Sequence, residues 1–227
     1  MISWAITDQI VYNDRSMTQN WDFIYKQHGA LKQEPHEDMP QVVSLFQQRG
    51  VKTVLDVGCG AGRHIVYLAG HGFQVSGLDS SGEAIKMTRE ALKKVNLSAE
   101  LVVASMYEKL PYPDGCFDAI VCTSALNHAT IDDIRRAIKE MERVLVPEGM
   151  IFLVVSGGRK LFNSKRQAKY AEIIDERTLK PKTGREVGVI HYMFNKEILL
   201  REFRYFKVID CHVDSTRNYC LLGILNC

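Results

Sequence analysis

The chain has 227 residues, of which 46% are hydrophobic and 25% are charged, and its formal net charge is +2. This length and composition predict one domain, residues 1–227, with a full hydrophobic core. The near-neutral charge gives no electrostatic footprint for a nucleic-acid backbone. No apolar run reaches the roughly 18 residues that span a membrane, and the N-terminus lacks a signal-peptide pattern. We therefore expect a cytoplasmic protein, monomeric or homodimeric, without nucleic-acid or membrane partners.

The six cysteines form no Cys-x-x-Cys pair. Several lie in predicted strands, where a free cysteine packs as a small hydrophobic residue. Cys211 and His212 are adjacent, but neighbouring residues of a strand face opposite sides of a sheet and cannot share a metal. The sequence therefore predicts free thiols and no metal.

The first 50 residues precede the predicted core. Trp21, Phe23, Tyr25 and His28 stand before a Gly-Ala break at positions 29–30, and a spacing of four places Trp21 and Tyr25 on one helix face. Such a face either packs over the edge of the sheet or closes over a bound ligand as a helical lid. Both interpretations stay open at this point.

Strand and helix patterns then alternate along residues 39–155. The predicted elements are a helix over 39–49, a strand over 53–57, a helix over 63–69, a strand over 74–78, a helix capped by Ser80 or Ser81, strands over 100–103 and 117–122, a helix that opens at Thr130 and ends at Pro147 and Gly149, and a strand over 150–155. This order favours right-handed crossovers and a parallel sheet.

The last part of the chain changes character. Asn195 caps a predicted helix that extends to Tyr205, and strands over 207–213 and 219–225 follow within the C-terminal segment 193–227. The loop between these strands is short, which permits only antiparallel pairing. The sequence therefore predicts an antiparallel last strand.

A long connection, residues 156–192, separates the fifth strand from the last helix. It is rich in glycine and charge, and a connection of this length is usually a lid or a flexible insertion. His191 near its end either faces the substrate or is a surface histidine. A basic group inside it is predicted to be a solvated helix face: Arg159, Lys160, Lys165, Arg166 and Lys169.

Three glycines, Gly58, Gly60 and Gly62, follow the first predicted strand. Without a Cβ, they let the backbone take positive φ and let a ligand lie against the peptide units. Asp79 ends the next strand, where a carboxylate can bind two neighbouring hydroxyls such as those of a ribose. A dinucleotide site would have Gly-x-Gly-x-x-Gly, and Asp56 beside the turn would repel a pyrophosphate. The pattern favours a nucleoside-containing ligand with an amino group.

These residues resemble the motifs of class I S-adenosylmethionine-dependent methyltransferases. The resemblance continues through residues 110–122, 125–128 and 140–155 and covers about half of the chain, residues 51–155. The most similar subgroup is the small methyltransferase domain that includes tellurite-resistance-type enzymes. The resemblance implies a Rossmann-like three-layer α/β sandwich, with a mostly parallel seven-stranded sheet and an antiparallel last strand. It also implies S-adenosylmethionine as the cofactor.

The resemblance assigns roles to single residues. In the family, the first acidic residue and the glycines hold the methionyl end of the cofactor, and the acidic residue after the second strand holds the ribose. The implied cofactor-binding residues are Asp56, Gly58, Cys59, Gly60, Gly62, Arg63, Asp79, Ser80, Ser105, Met106 and Thr123. Many members carry an acidic residue for the adenine amino group after the third strand. This chain has Ala104-Ser105-Met106 there, so we expect adenine recognition to depend more on backbone groups.

His128, in the loop after the fourth strand, is the candidate general base, and its alternative role is to cap the helix that opens near Thr130. Trp21, Tyr25 and His191 are the predicted acceptor-side or lid residues. The sequence thus predicts transfer of a methyl group to a small molecule by in-line displacement. Two alternatives remain. One is a nicotinamide-dependent oxidoreductase, which the glycine spacing disfavours, and the other is a cofactor-binding protein without turnover.

Overall fold

The structure is a computed structural model that describes residues 15–158 and 169–226, with the backbone alone for residues 15–20. The start of the predicted N-terminal lid, residues 1–14, lies outside the described residues. So do residues 159–168, which hold all but Lys169 of the predicted basic helix face, and Cys227.

The elements alternate as the sequence predicts. In chain order they are α1 (Arg15–His28), α2 (Met39–Gln48), β1 (Thr53–Val57), α3 (Arg63–Gly70), β2 (Gln74–Asp79), α4 (Gly82–Lys94), β3 (Glu100–Val103), β4 (Phe117–Thr123), α5 (Ile131–Val144), β5 (Leu145–Val155), β6 (Ala171–Ile173), β7 (Thr178–Pro181), β8 (His191–Tyr192), α6 (Lys196–Glu202), β9 (Phe206–Val213) and β10 (Tyr219–Leu225). None of the helices in the described ranges combines the length and apolar character needed to cross a bilayer.

The main sheet has seven strands in the order β3-β2-β1-β4-β5-β10-β9. The last strand, β10, is antiparallel to both of its neighbours, β5 and β9, whereas the pairs from β3 to β5 are parallel. Ile138 of α5 and Leu199 of α6 belong to one buried cluster with the sheet. Phe46 of α2 and Ile65 of α3 belong to a second cluster. Helices therefore cover both faces, and the predicted three-layer fold is confirmed.

Two predicted helix ends were wrong. The sequence placed the end of α5 at Pro147 and Gly149, but the helix ends at Val144 and β5 begins at Leu145. Leu145 pairs with Phe117, and the register with β4 shifts before the next pair, so the proline and glycine lie in an irregular start of the strand.

The second wrong boundary is at α6, which ends at Glu202 and not at Tyr205. The backbone N–H of Phe206 donates to the carbonyl of Phe203 at 3.0 Å, and Phe206 already pairs with Leu225 in the sheet. Residues 203–205, which the sequence assigns to the helix, therefore belong to the turn into β9.

The connection after β5 contains regular structure that the sequence did not predict. Strands β6, β7 and β8 form a small antiparallel sheet. It is joined to the core where the N–H of Tyr192 donates to the carbonyl of Asn127 at 2.7 Å and the N–H of Phe194 donates to the carbonyl of Ser156 at 3.0 Å. These bonds hold the end of the insertion against the loop that follows β4.

Helix α1 is held against the start of α4 by one carboxylate. The Asp22 carboxylate accepts from the hydroxyl of Ser81 at 2.6 Å and from the backbone N–H of Glu83 at 3.1 Å. Ser81 also caps α4 through its hydroxyl, which accepts from the N–H of Ala84. An acidic side chain at a helix N-terminus is favoured by the helix dipole, so Asp22 anchors α1 beside the carboxyl end of β2.

The anchor makes a testable prediction. Asp22→Ala should speed amide hydrogen exchange in residues 21–28 by about tenfold, because hydrogen bonds to a charged group contribute about 1.5–3 kcal/mol and the opening of α1 becomes easier. Phe23→Ala is the matched control, since Phe23 is 63% exposed on the same helix. Equal exchange in the wild type and in Asp22→Ala would contradict the anchoring role.

Candidate active site

A cavity of about 670 Å³ opens at the carboxyl ends of the parallel strands, where open α/β sheets bind ligands. The structure brings most of the predicted site residues to its wall. These are Trp21, Tyr25, Gly58, Cys59, Gly60, Arg63, Asp79, Ser80, Ser105, Met106, Thr123, His128 and His191. Asp56 and Gly62 do not line the cavity.

The glycine turn after β1 has the left-handed backbone that the sequence implies. The φ angles of Gly58, Gly60 and Gly62 are 72°, 55° and 83°, a region that other residues rarely adopt. The neighbours add a second constraint, because a Cβ on Gly58 would lie 2.5 Å from the Ala125 Cβ and a Cβ on Gly60 would lie 2.5 Å from the Tyr25 hydroxyl. Packing inside the protein thus requires glycine at these positions independently of a ligand.

Asp79 joins the turn to the end of β2. One of its carboxylate oxygens accepts from the N–H of Gly60 at 2.9 Å, and the other accepts from the N–H of Ser81 at 2.8 Å. Burial raises the pKa of Asp79 to about 6, while the two backbone hydrogen bonds act to lower it. The carboxylate lines the cavity, and each oxygen has lone pairs left for further donors.

Asp56 is a fully buried carboxylate at the end of β1. Neither of its oxygens has a hydrogen-bond partner among the described residues. Burial raises the pKa of Asp56 to about 7, with Arg63 opposing the shift and Asp79 adding to it. An orphaned buried acid is costly, and its ionised form would be stabilised by a cation brought close to the turn.

Arg63 begins α3 and lines the cavity. Its guanidinium donates to the carbonyl of Glu34 at 2.8 Å and contacts the hydroxyl of Thr123 at 3.4 Å. Thr123, at the end of β4, also lies 3.2 Å from a ring nitrogen of His64. Arg63 therefore supplies a positive charge between the ends of β1 and β4, where an anionic group of a ligand can pair with it.

Met106, Ser105 and Cys59 all line the cavity near the glycine turn. Met106 packs against the turn, since its terminal methyl would lie 2.7 Å from a Cβ on Gly58. The Ser105 hydroxyl accepts from the N–H of Tyr107 at 3.2 Å. Burial, and after it the charge of Asp56, raises the pKa of the Cys59 thiol well above its ordinary value. Because the thiolate is the nucleophilic form, this shift argues against Cys59 as a nucleophile.

His128 lies in the loop after β4 with one ring nitrogen 3.1 Å from the carbonyl of Ser124, to which it donates. It does not cap α5, because Thr130 does so through its hydroxyl. Burial, followed by the charge of His191, lowers the pKa of His128 to about 4. The ring is therefore neutral at neutral pH and is a weak base.

Aromatic rings enclose His128 from two sides. The Trp21 ring centroid is 4.9 Å away and that of His191 is 4.7 Å away, both in edge-on geometry. His191 in turn lies 3.0 Å from a carboxylate oxygen of Glu186. All three of the predicted lid residues, Trp21, Tyr25 and His191, thus reach the cavity.

Sequence reasoning missed several residues of the cavity wall, among them Lys32, Tyr107 and Glu186. The Lys32 ammonium donates to the hydroxyl of Ser124 at 3.2 Å, and the Tyr107 hydroxyl donates to the carbonyls at positions 125–126 at 3.2 Å. Tyr107 directly follows the predicted adenine-side residues, so its position was an available signal. Lys32 and Glu186 come from distant loops, and no local pattern indicated them.

The chain is similar in sequence to known methyltransferases. Residues 55–153 match the methyltransferase-domain family. The uncharacterized methyltransferase YcgJ of Bacillus subtilis is 29% identical over 118 residues, which is 52% of this chain and 46% of that protein. The demethylmenaquinone methyltransferase of Listeria welshimeri is 32% identical over 134 residues, 55% of this chain and 56% of that protein. The chain spans about half the length of the relatives that it matches.

A solved structure extends the similarity to nearly the whole fold. The 1,6-didemethyltoxoflavin-N1-methyltransferase of Burkholderia thailandensis, with bound 1,6-didemethyltoxoflavin and S-adenosylhomocysteine, has a TM-score of 0.68 at 14% identity and covers 97% of this chain and 94% of its own. At this identity the likeness concerns the fold. Residues 55–153 therefore match a methyltransferase domain, and the chain as a whole shares its fold with a solved methyltransferase.

The buried acid predicts an effect on stability. Asp56→Asn should raise the free energy of unfolding of the ligand-free protein at pH 8 by up to about 4 kcal/mol, since the pKa rises from 3.8 to about 7 and each unit corresponds to about 1.4 kcal/mol. A raised carboxyl pKa means that the charged form destabilises the native state. The penalty is absent below pH 3.8, grows as the pH rises towards about 7, and is complete above it.

Urea unfolding of both proteins at pH 4 and at pH 8 measures this effect. The stabilisation by Asp56→Asn should be present at pH 8 and nearly absent at pH 4, where the wild-type carboxyl is protonated. A difference that is equal at the two pH values, or a variant that is less stable at pH 8, would contradict an unpaired charge at this position.

Proposed function

We propose that this chain transfers a methyl group from S-adenosylmethionine to a small-molecule acceptor. The observation that carries the proposal is the Asp79 carboxylate, which is fixed by Gly60 and Ser81 and lines the cavity beside the glycine turn. A fixed carboxylate at the end of the second strand suits two neighbouring hydroxyls, as on a ribose. The family match over residues 55–153 supports the same cofactor.

The residues present fit both ends of that cofactor. The orphaned carboxylate of Asp56 lies behind the glycine turn and does not line the cavity, so a cationic methionyl end bound at the turn would stabilise its charge from a short distance and not by lining contact. The Arg63 guanidinium, which does line the cavity, suits the carboxylate of the methionyl end. Met106 and Ser105 border the side on which the adenine would lie. The fit therefore rests on charges and contacts of this chain as well as on the glycine pattern.

The demands on the protein during methyl transfer are modest. The sulfonium of the bound cofactor supplies an activated methyl group, so the protein must align the acceptor with the S–CH₃ bond and exclude water. Trp21 and Tyr25 of α1 close one side of the cavity, with Tyr25 buried against the turn. His128 and His191 also line the cavity, and His191 lies 3.0 Å from a carboxylate oxygen of Glu186. They are the candidate groups that contact the acceptor.

A small-molecule acceptor is supported by the names of two similar proteins, which state demethylmenaquinone in one and 1,6-didemethyltoxoflavin in the other. A further relative, 30% identical over 126 residues, is named as a ribosomal RNA methyltransferase, but the net charge of +2 gives this chain no electrostatic footprint for a nucleic acid. The cavity, at about 670 Å³, is of the size that small-molecule sites have. The tellurite-resistance-type subgroup, the cytoplasmic location and the monomeric or homodimeric state stay predictions from the sequence.

Asp79 gives the first test of this function. Asp79→Ala and Asp79→Asn should each weaken binding of S-adenosylhomocysteine by at least about tenfold, because charge-assisted hydrogen bonds contribute about 1.5–3 kcal/mol. Titration calorimetry measures the dissociation constants, and Asp132→Ala is a matched control, because Asp132 is a surface acid paired with Arg135. The asparagine side chain has the same size but only one acceptor oxygen, so it can keep only one of the bonds from Gly60 and Ser81. Thermal unfolding of both variants therefore separates lost binding from lost folding. An unchanged dissociation constant in a folded variant would remove Asp79 from the site.

The same calorimetry with NAD(P)H tests the oxidoreductase alternative, which would be favoured by binding of the nicotinamide cofactor alone. A panel of reduced quinones and nitrogen heterocycles, assayed for S-adenosylhomocysteine formation, tests turnover. Cofactor binding without transfer to any acceptor of the panel would favour the non-catalytic alternative.

A lid is the second prediction of this proposal. Hydrogen exchange should show added protection of residues 21–28 and 169–192 when S-adenosylhomocysteine and an acceptor bind, because both segments border the cavity and closure excludes water. The reference is the protection of the glycine turn itself. Protection confined to the turn and to Asp79 would mean that both segments are permanent packing.

A further inference from the structure

Three side chains at the acceptor side of the cavity come from separate parts of the chain and converge. They are His128 after β4, Glu186 in the loop between β7 and β8, and His191 at the start of β8. One ring nitrogen of each histidine and one carboxylate oxygen lie within 4.8 Å of one another. All three residues line the cavity.

We propose that His128, Glu186 and His191 bind a divalent transition-metal ion in this cavity. Two imidazoles and one carboxylate are the donor set that Zn²⁺ and Fe²⁺ take in sites with open positions. The prediction of no metal from the sequence rests on the spacing of the cysteines and does not consider these three residues. No local spacing pattern could have indicated these three ligands, since Glu186 lies 58 positions after His128 in the chain.

The orientation of His128 supports ligation. Its Nε2 donates to the carbonyl of Ser124 at 3.1 Å, which leaves the lone pair on Nδ1. Nδ1 is buried and makes no hydrogen bond of ordinary geometry among the described residues, although the backbone of Ile190, next to His191, also approaches the ring. A metal-binding histidine commonly donates its other ring N–H to a backbone carbonyl in this way, which fixes the tautomer and the ring.

The backbone holds the two histidines in place. The N–H of Tyr192, next to His191, donates to the carbonyl of Asn127, next to His128, at 2.7 Å. The rings then meet edge-on with centroids 4.7 Å apart. Glu186 is brought back by a turn in which its carbonyl accepts from the N–H of Val189 at 3.1 Å.

The distances require only small side-chain rotations. Ligand atoms about 2.0–2.2 Å from a metal lie about 3–3.5 Å apart in a tetrahedral site. The His191 nitrogen and the Glu186 oxygen are already 3.0 Å apart, and the greatest separation within the group is below 4.8 Å. Closing the difference of about 1 Å is within the reach of rotations about the side-chain bonds.

Such an ion would define the acceptor, a step that rests on the proposed function. Three protein ligands leave positions open to the cavity, and a bound cation lowers the pKa of an oxygen that it coordinates. An acceptor hydroxyl would release its proton to water on binding. The oxygen then forms a bond to the methyl carbon as the S–CH₃ bond breaks, with the bonding pair left on sulfur. The structure thus favours acceptors with chelating oxygen atoms.

A second group of three potential metal ligands elsewhere in the described residues provides a matched control. His36, Asp38 and Cys220 also have ligand atoms within 4.8 Å of one another. Both ring nitrogens of His36 are engaged, because Nδ1 accepts from the N–H of Asp38 and Nε2 lies 3.1 Å from a carboxylate oxygen of Asp214. This group is therefore expected to stay without a metal, and Cys220→Ser removes its sulfur ligand.

The test is titration of the chelator-treated full chain with Co²⁺, monitored by visible d–d absorption. We expect one equivalent to bind in the wild type and in Cys220→Ser. His128→Ala, His191→Ala and Glu186→Gln should each weaken binding at least about a hundredfold, since changes outside the ligand set already cost about 10–100-fold. Acetohydroxamate, a bidentate oxygen ligand, should shift the bands by filling the open positions.

The outcomes are separable. Loss of the Co²⁺ equivalent in Cys220→Ser, its retention in all three cavity variants, or no binding to the wild type overturns the metal site. Spectra that acetohydroxamate leaves unchanged contradict the open positions. S-adenosylhomocysteine binding by the same preparations shows that the variants are folded. Failure of the wild type to bind S-adenosylhomocysteine would refute the proposed function while leaving the metal result intact.

Discussion

The hydrogen bond from the N–H of Gly60 to the Asp79 carboxylate, 2.9 Å long, connects the ends of two neighbouring parallel strands. It sets the path of the glycine turn, and Tyr25 then packs against that turn so closely that a Cβ on Gly60 would lie 2.5 Å from its hydroxyl. The other oxygen of Asp79 accepts from Ser81, whose hydroxyl donates to Asp22 of α1. The cavity wall, the start of α4 and the helix over the cavity therefore all depend on one carboxylate.

The site combines this fixed carboxylate with an acid that has no partner. Asp56 lies fully buried at the end of β1, and neither oxygen is bonded within the described residues. Groups that destabilise the free protein are common where a ligand supplies the missing partner. The positive charge of Arg63 lowers the pKa of Asp56 and so reduces the free-energy cost of burying its charged form. Under the proposed function, the methionyl end of the cofactor would meet two opposite charges, and one of them, the Asp56 carboxylate, has no hydrogen-bond partner within the described residues.

The sequence predicted the fold better than it predicted the wall of the site. Strands such as Thr53–Val57 are short apolar runs bounded by glycine, so their limits are local properties of the chain. The start of β5 depends on the pairing of Leu145 with Phe117. This is a tertiary contact, and the local pattern of Pro147 and Gly149 instead indicated a turn there. The small sheet β6-β7-β8 consists of strands of two to four residues, too short for a periodic pattern to show. Glu186 belongs to that region, and only folding brings it to His191.

We propose that the cavity beside Asp79 holds S-adenosylmethionine with its reactive end towards His128. A crystal structure of the chain with S-adenosylhomocysteine would show this arrangement or exclude it. We expect both ribose hydroxyls within hydrogen-bond distance of the Asp79 carboxylate, the amino group near the glycine turn and Asp56, and the sulfur facing the side of the cavity that is lined by His128 and His191. A ligand bound elsewhere, or a ribose away from Asp79, would contradict the account.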